Sequence, residues 1–333
     1  ELSLRFRDTN ESGNEQGLAV DDFNFLADDE TGLFFNGSSS YVTMGQGAAS
    51  ATAFGASNFT LECRFLRTGP GATASTGTGG VVANPLIAKG VSEADASNKD
   101  ANYFLGINAA GNIVADFEQF NATNNGTAYP SGQNFPITGS ATLANGVWYH
   151  VAVSYDAATA NWKLYVNGVE DTAATLNIPT FVGVIPRNDS IQGLGIGTTI
   201  NSTGARAGYF NGIIDEARIW GVARTASDIA NNKDVKIVAP VTGLLARYGF
   251  DEGTGTTAAG ISESGAATSG TLAGTVLPAW VNSKSFAPNT APTVSLVSNS
   301  GASVVFPASI ELEATASDSD GVITKVEFFA NGT

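Results

Sequence analysis

Hydrophobic and polar positions in this chain alternate with a period of two, in short runs separated by Gly, Asn and Ser. The clearest case is GVWYHVAVSYDAATANWKLYVNGVE at 146–170. There Val151, Val153 and Tyr155 alternate with Ala152 and Ser154, and Trp162, Leu164 and Val166 alternate with Lys163, Tyr165 and Asn167. Strict alternation over runs of this length predicts strands with one face buried and the other facing water. The small, polar segment 156–161 suits the loop of an antiparallel hairpin, and Asn167-Gly168 closes the second strand with residues that tolerate positive φ.

The same pattern predicts strands at 33–35, 41–44, 59–66, 85–88, 103–108 and 113–120 before the hairpin. After it come 193–197, 208–220, 243–250 and 270–281. Many short strands divided by turn residues point to an all-β sandwich. Helix is scarce. The exception is TASDIANN from Thr225, where Thr225 can cap a short helix with Asp228 at the third helical position. Further strands are expected at 294–296, 309–316 and 324–329, with SDSDG as the turn before the last.

Several of these segments carry a family resemblance when taken in order. FFNGSSSYVTMG, NFTLECRF, PLIAKG, YFLGINAAGNIVADFE, LANGVWYHVAVSYD, WKLYVNGVE, YFNGIIDEARIWGVARTASDI and LARYGFDEGTGTT follow one another as in laminin-G-like modules, the concanavalin-type, pentraxin-related domains of secreted bacterial proteins. That resemblance implies an antiparallel jelly-roll β-sandwich of two large sheets. NTAPTVSL and IELEATASDSDGVITKVEFFANGT resemble the first half of a bacterial immunoglobulin-like module. The expected organisation is the closing strands of a preceding β module at 1–26, a linker at 27–32, the jelly roll at 33–286, a linker at 287–293 and a partial immunoglobulin-like domain at 294–333. With Glu at position 1 and a strand just ended at Thr333, the sequence reads as a fragment of a longer protein.

Composition narrows the functional classes. The 333 residues are 43% hydrophobic and only 14% charged, with a net charge of −15. Nucleic acid and anionic membranes are met by clustered Lys and Arg, so neither is an expected partner. The acidity is compatible with plain solubility and with cation binding. The single cysteine, Cys63, lies in the apolar phase of a strand and cannot form an intrachain disulfide. No apolar run is long enough to span a bilayer.

Catalytic chemistry finds few candidates. Sandwich-fold glycosidases place two carboxylates within one strand as E-x-D-x-x-E, and this spacing is absent. Asp215 and Glu216 are adjacent, so in a regular strand they point to opposite faces. His150 is the sole histidine, lies in the phase opposite Val151 and Val153, and falls where the resembled family has a structural histidine. No phosphate loop and no zinc spacing occurs, so the chain is expected not to be an enzyme within these residues.

For calcium, which takes six to eight oxygen ligands, the resemblance directs attention to Asp215, to Asp251 and Glu252 in FDEGTG, and to Asn36 with Gly37 in the first loop. The alternative is structural: Asp215 and Glu216 pairing with Arg218, and Asp251 fixing a turn. Trp148, Trp162, Trp220 and Trp280 sit in strand contexts and are expected in the core, while loops 68–84, 91–101, 121–140 and 198–208 form the adaptable surface. Two functions remain open. One is a non-catalytic adhesion or scaffold region stabilised by calcium; the other is a carbohydrate-binding accessory region of an extracellular enzyme. Both imply an extracellular or cell-surface location, with glycans, surface proteins or other modules of the same chain as partners.

Overall fold

The computed structural model describes residues 4–5, 30–93, 98–120, 123–124, 127–128, 132–172, 182–283, 293–298 and 311–317. The chain divides into two compact units, Thr31–Lys284 and a second made of Glu1–Glu30 with Ser285–Thr333. In the second unit, Thr293–Ser298 pairs antiparallel with Glu311–Ser317, which also pairs with Leu4–Arg5. The expected strand at 324–329, the SDSDG turn and most of 1–26 lie outside the described residues.

The larger unit is a sandwich of two antiparallel sheets. A ten-stranded sheet runs in the order Val169–Glu170, Asn161–Val166, Trp148–Asp156, Phe59–Arg67, Asn211–Trp220, Leu244–Tyr248, Gly260–Ser262 and Gly265–Ala266. Thr31–Asn36 joins the first half of Asn211–Trp220, and Ala279–Asn282 joins Thr31–Asn36. The nine-stranded sheet runs from Ile137–Thr142 through Asn112–Asp116, Tyr103–Ile107, Val82–Lys89, Leu194–Ile196, Tyr41–Thr43 and Gly270–Ala273 to Thr257–Ala258, with Ala74–Ser75 on Val82–Lys89. This is the expected all-β, concanavalin-like architecture.

The predicted hairpin forms with Val151 opposite Val166, Val153 opposite Leu164 and Tyr155 opposite Trp162. On its other side Trp148–Asp156 pairs with Phe59–Arg67, Val151 opposite Cys63 and Val153 opposite Leu61. These residues face the space between the sheets, where Phe59, Phe65, Leu105, Ile107, Phe117, Ile196, Ile214 and Tyr248 join one core. Aromatic rings fill its centre: Phe117 lies 4.5 Å from Tyr155 and 5.5 Å from Trp162, centroid to centroid, spacings at which edge-on and tilted rings attract. Asn167 and Gly168 both take positive φ, 50° and 79°, the geometry of a tight hairpin turn that splays neither strand.

Two differences from the sequence pattern have local causes. The 270–281 stretch is not one strand; it breaks after Ala273 and sends Ala279–Asn282 to the opposite sheet. Ala48–Phe54 forms a short helix that alternation could not reveal, because AASATAF offers one large apolar residue, Phe54, which is buried. The carbonyl of Phe54 accepts the Tyr103 hydroxyl at 3.1 Å, fixing the helix to the core. The helix Ala226–Asn232 appears as expected. Thr225 Oγ1 accepts from Asp228 N, and the Asp228 carboxylate accepts from Thr225 N, a complete capping box.

Candidate functional site

The strand Phe59–Arg67 buries Phe59, Leu61, Cys63 and Phe65 in the core, so Thr60, Glu62 and Arg64 fall on the outer face of the ten-stranded sheet. Across from them lie His150, Ala152 and Ser154 on one side and Asp215 and Arg218 on the other. Alternation assigns this face to water. The structure covers it instead. Ile229 of the helix packs on Ala152 and Tyr165, and Arg218 donates to the carbonyls of Asn232 (2.9 Å) and Val235 (2.5 Å), tying the following segment down.

Charged groups sealed in this way must be paired. Glu62 is fully buried, and four groups surround it. His150 Nε2 lies 3.1 Å away, Trp220 Nε1 donates at 2.7 Å, Arg224 Nη1 donates at 3.3 Å, and Arg218 Nη1 is 3.9 Å distant. The Arg224 guanidinium also stacks 4.0 Å over the Trp220 ring. Burial opposes ionisation of Glu62, yet the His150 hydrogen bond and the arginines outweigh it and bring its pKa down to about 2.

A bulge places a second carboxylate pair beside it. Three residue steps from Asp215 to Arg218 oppose two from Arg64 to Glu62, and Glu216 takes φ 50°. Asp215 and Glu216 therefore do not point to opposite faces: the extra residue turns Glu216 toward Arg218 and Arg247, which it bridges on the outer face. Asp215 Oδ2 accepts from Ser283 Oγ at 2.6 Å, and its Oδ1 is buried without a hydrogen-bond partner. Burial and the adjacent Glu216 push the Asp215 pKa well above the usual carboxylate range.

The four residues expected to ligate calcium do not form one donor set. Asp251 lies near Asp215, but its oxygens are held by Arg247 and Lys236, both at 2.9 Å. Glu252 turns away and accepts from Ala259 N at 2.6 Å. Asn36 organises its own loop: its Oδ1 accepts from the backbone N–H groups of Ser38, Ser39 and Ser40 at 3.0, 2.9 and 3.1 Å. Among the described residues no three His, Cys, Asp or Glu side chains are grouped to hold a metal ion.

Beside Glu62 the outer face opens into a cavity of about 170 Å³, lined by Arg64, Trp148, His150, Asn167, Lys233, Asp234 and the edge of Tyr149. The strand start supplies Trp148 and His150 on one phase, the hairpin turn supplies Asn167, and the residues just past the helix supply Lys233 and Asp234. Asn167 Oδ1 accepts from His150 N at 3.0 Å, locking turn to strand. His150 is 6% exposed, and its Nδ1 has no hydrogen-bond partner. Burial lowers the His150 pKa against the pull of Glu62, which keeps the ring neutral at neutral pH. An ionised Glu62 can only accept, so the ring proton resides on Nε2 and Nδ1 carries a lone pair. The cavity thus combines an indole, two cations and a carboxylate, with the neutral His150 ring in its wall.

The tryptophans divide accordingly. Trp162 and Trp220 are buried as expected, at 1% and 2% exposure, whereas Trp148 and Trp280 are only half-buried. Alternation puts Trp148 and His150 in one phase, and that was a usable signal. Arg64, Asn167 and Lys233 are remote in sequence, and only strand order brings them in. In the 121–140 loop, residues 121–122, 125–126 and 129–131 lie outside the described residues.

Around Asp116 the outer face of the nine-stranded sheet is covered. Asp116 there is fully buried and accepts from Thr76 Oγ1 (2.5 Å), Asn134 Nδ2 (2.8 Å) and the backbone N–H groups of Phe117 and Phe135, both 2.9 Å. Val81, Ala83, Ala88, Phe104 and Val114 pack over the same sheet as a second apolar cluster. Part of the 68–84 loop is therefore packed structure: a side chain at Gly80 would strike Thr76, Asp116 and Asn134.

Comparison with known proteins gives the following. The fold is similar to a candidate carbohydrate-binding protein from Bacteroides ovatus, with 20% identity over 76% of this chain and 62% of that one and a TM-score of 0.49. The chain thus spans about three fifths of that protein's length. It is also similar to the CBM40 of the Ruminococcus gnavus IT-sialidase bound to α2,3-sialyllactose, with 16% identity over 65% and 98% of the two chains and a TM-score of 0.41. The heptameric SAP-like pentraxin of Limulus polyphemus gives 14% identity over 62% and 83%, with a TM-score of 0.39. No curated protein matches. Residues 292–333 match the family model of a bacterial Ig domain. Residues 36–230, more than half of the sequence, match the model of the concanavalin A-like lectin/glucanases superfamily, and the chain belongs to that superfamily.

Proposed function

We propose that the unit Thr31–Lys284 is a non-catalytic carbohydrate-binding module, an accessory part of an extracellular, multidomain bacterial protein. The observation that carries this reading is the cavity beside Glu62. An exposed indole edge gives an apolar platform for the C–H face of a sugar ring. Arg64 and Lys233 are donors and Asp234 is an acceptor, a mixture suited to hydroxyl groups, which both give and take hydrogen bonds. Superfamily membership supports the same class of ligand, and the bacterial Ig match supports the multidomain, extracellular setting.

Hydrolysis is not part of the reading. The two adjacent carboxylates, Asp215 and Glu216, are occupied by Ser283 and by Arg218 with Arg247 and do not line the cavity. The test is glycan-array binding by the full chain and by Trp148→Ala. Retention of a defined glycan set by the wild type, lost in the variant while it remains folded, is the expected result. Equal retention by the variant would move the site elsewhere, and no retention by either would end the carbohydrate reading in favour of an adhesion or scaffold role.

A further inference from the structure

Two of the elements that line the cavity also touch each other. Its floor is the directly paired, buried Arg64 and His150, with Trp148 at the strand start beside them. One wall is the turn at Asn167, whose side chain accepts from His150 N and so holds the turn to the floor. The next wall is Lys233 with Asp234, just past the helix Ala226–Asn232. Turn and helix end meet at Gly168. A Cβ there would lie 2.9 Å from Lys233 Cδ and 3.0 Å from Ala230 Cα, so the contact admits no side chain. Arg218 fixes the helix end from behind by donating to the carbonyls of Asn232 and Val235. No passage is left between turn and helix. At about 170 Å³ the cavity is also smaller than the roughly 300–1,000 Å³ of pockets that hold drug-sized ligands, room for one sugar ring rather than a run of them.

We infer that the cavity receives the end residue of a glycan chain, its ring against Trp148 and the rest of the chain leaving over the open side, and that it rejects internal residues. The inference rests on the carbohydrate-binding reading above. An internal residue is bonded to a neighbour on both sides, so its chain must leave the site in two directions. A cavity shut where the turn meets the helix offers one. Seating an internal residue would drive its outer neighbour into the Gly168–Lys233 contact, a clash of the kind that sets specificity. Residues further along the chain lie outside the cavity and bury little, so they add little affinity.

The experiment is calorimetric titration of the full chain with gluco-, galacto-, manno- and xylo-oligosaccharides, from disaccharide to hexasaccharide. Each oligosaccharide is also titrated with its reducing end opened to the alditol and, separately, with its non-reducing end O-methylated. In a series that binds, affinity should stay within about twofold as the chain lengthens. Altering one end should cost about tenfold or more and altering the other should cost nothing, which identifies the end recognised. Lys233→Ala removes the stem that meets the turn, and in this variant affinity should begin to grow with chain length. Wild-type affinity that climbs steadily with length, or indifference to both end modifications, would overturn this inference and leave carbohydrate binding standing. An end preference that Lys233→Ala leaves intact would overturn the role given to the wall. Absence of binding by every series would overturn both readings.

Discussion

The two sheets of the sandwich each bury a carboxylate on the face turned away from the shared core, and they satisfy it in different ways. Glu62 sits among His150, Arg218, Arg224 and the Trp220 N–H. Asp116 sits among a hydroxyl, an amide and two backbone N–H groups. The first arrangement is ionic and gathers long side chains that cannot close tightly, and a cavity remains at its margin. The second is neutral and short-ranged, and a loop seals over it. A charged network with an opening suits recognition; a neutral network without one suits structure.

The largest break in the comparison should come from Glu62→Ala. Removing the carboxylate leaves Arg224 without its buried counter-charge and Arg218 with Glu216 alone, a situation that costs about 3–5 kcal/mol. Asp116→Ala should cost less, about 1–3 kcal/mol, because it strands hydrogen-bond donors rather than charges. Denaturant unfolding of both variants checks the order; equal losses would mean that the arginines find other partners.

Acid titration sharpens the contrast, because the two groups link to pH with opposite sign. The Glu62 pKa falls from 4.5 to about 2 in the fold, so between these values the unfolded chain holds more protons and stability rises with pH. Burial raises the Asp116 pKa from 3.8 to about 7 against its four donors, so across that window the folded chain holds more protons and stability falls as pH rises. Unfolding midpoints followed against pH should therefore show a rise below about pH 4.5 that Glu62→Gln removes. The decline toward pH 7 should persist in Glu62→Gln and shrink in Asp116→Asn, where Asp215, whose pKa is also raised by burial, still contributes. A wild-type profile flat across both windows would contradict the assignment. The smallest expected stability effect is that of Trp148→Ala, about 1 kcal/mol or less for a half-buried residue at a strand start, alongside the full loss of glycan retention.

Alternation carried most of the architecture. The hairpin register, the apolar phase of Phe59–Arg67 and the Thr225 capping box follow from residue spacing and local chemistry. Bulges escape that logic, because a period of two assumes a regular strand; Glu216 shows how one extra residue brings two neighbouring acids to one face. Glu62 escaped for a different reason. Alternation separates the two faces of a strand but does not say that a helix and its following segment, some 160 residues away, will cover the polar one. The cavity inherits that difficulty: Arg64, His150 and Lys233 meet only through strand order and a helix end. Asn36 illustrates the converse. The family resemblance pointed to it as a ligand, and its one side-chain oxygen accepts from the backbone of its own loop.

A single histidine makes the most direct test available. Long-range nitrogen–proton correlation spectra of the full chain should show one neutral imidazole protonated at Nε2, and its ring resonances should shift in proportion to saturation as a binding glycan is added. Ring resonances that stay in place while glycan binds, or an imidazole protonated at Nδ1, would contradict the assignment of this cavity as the sugar site.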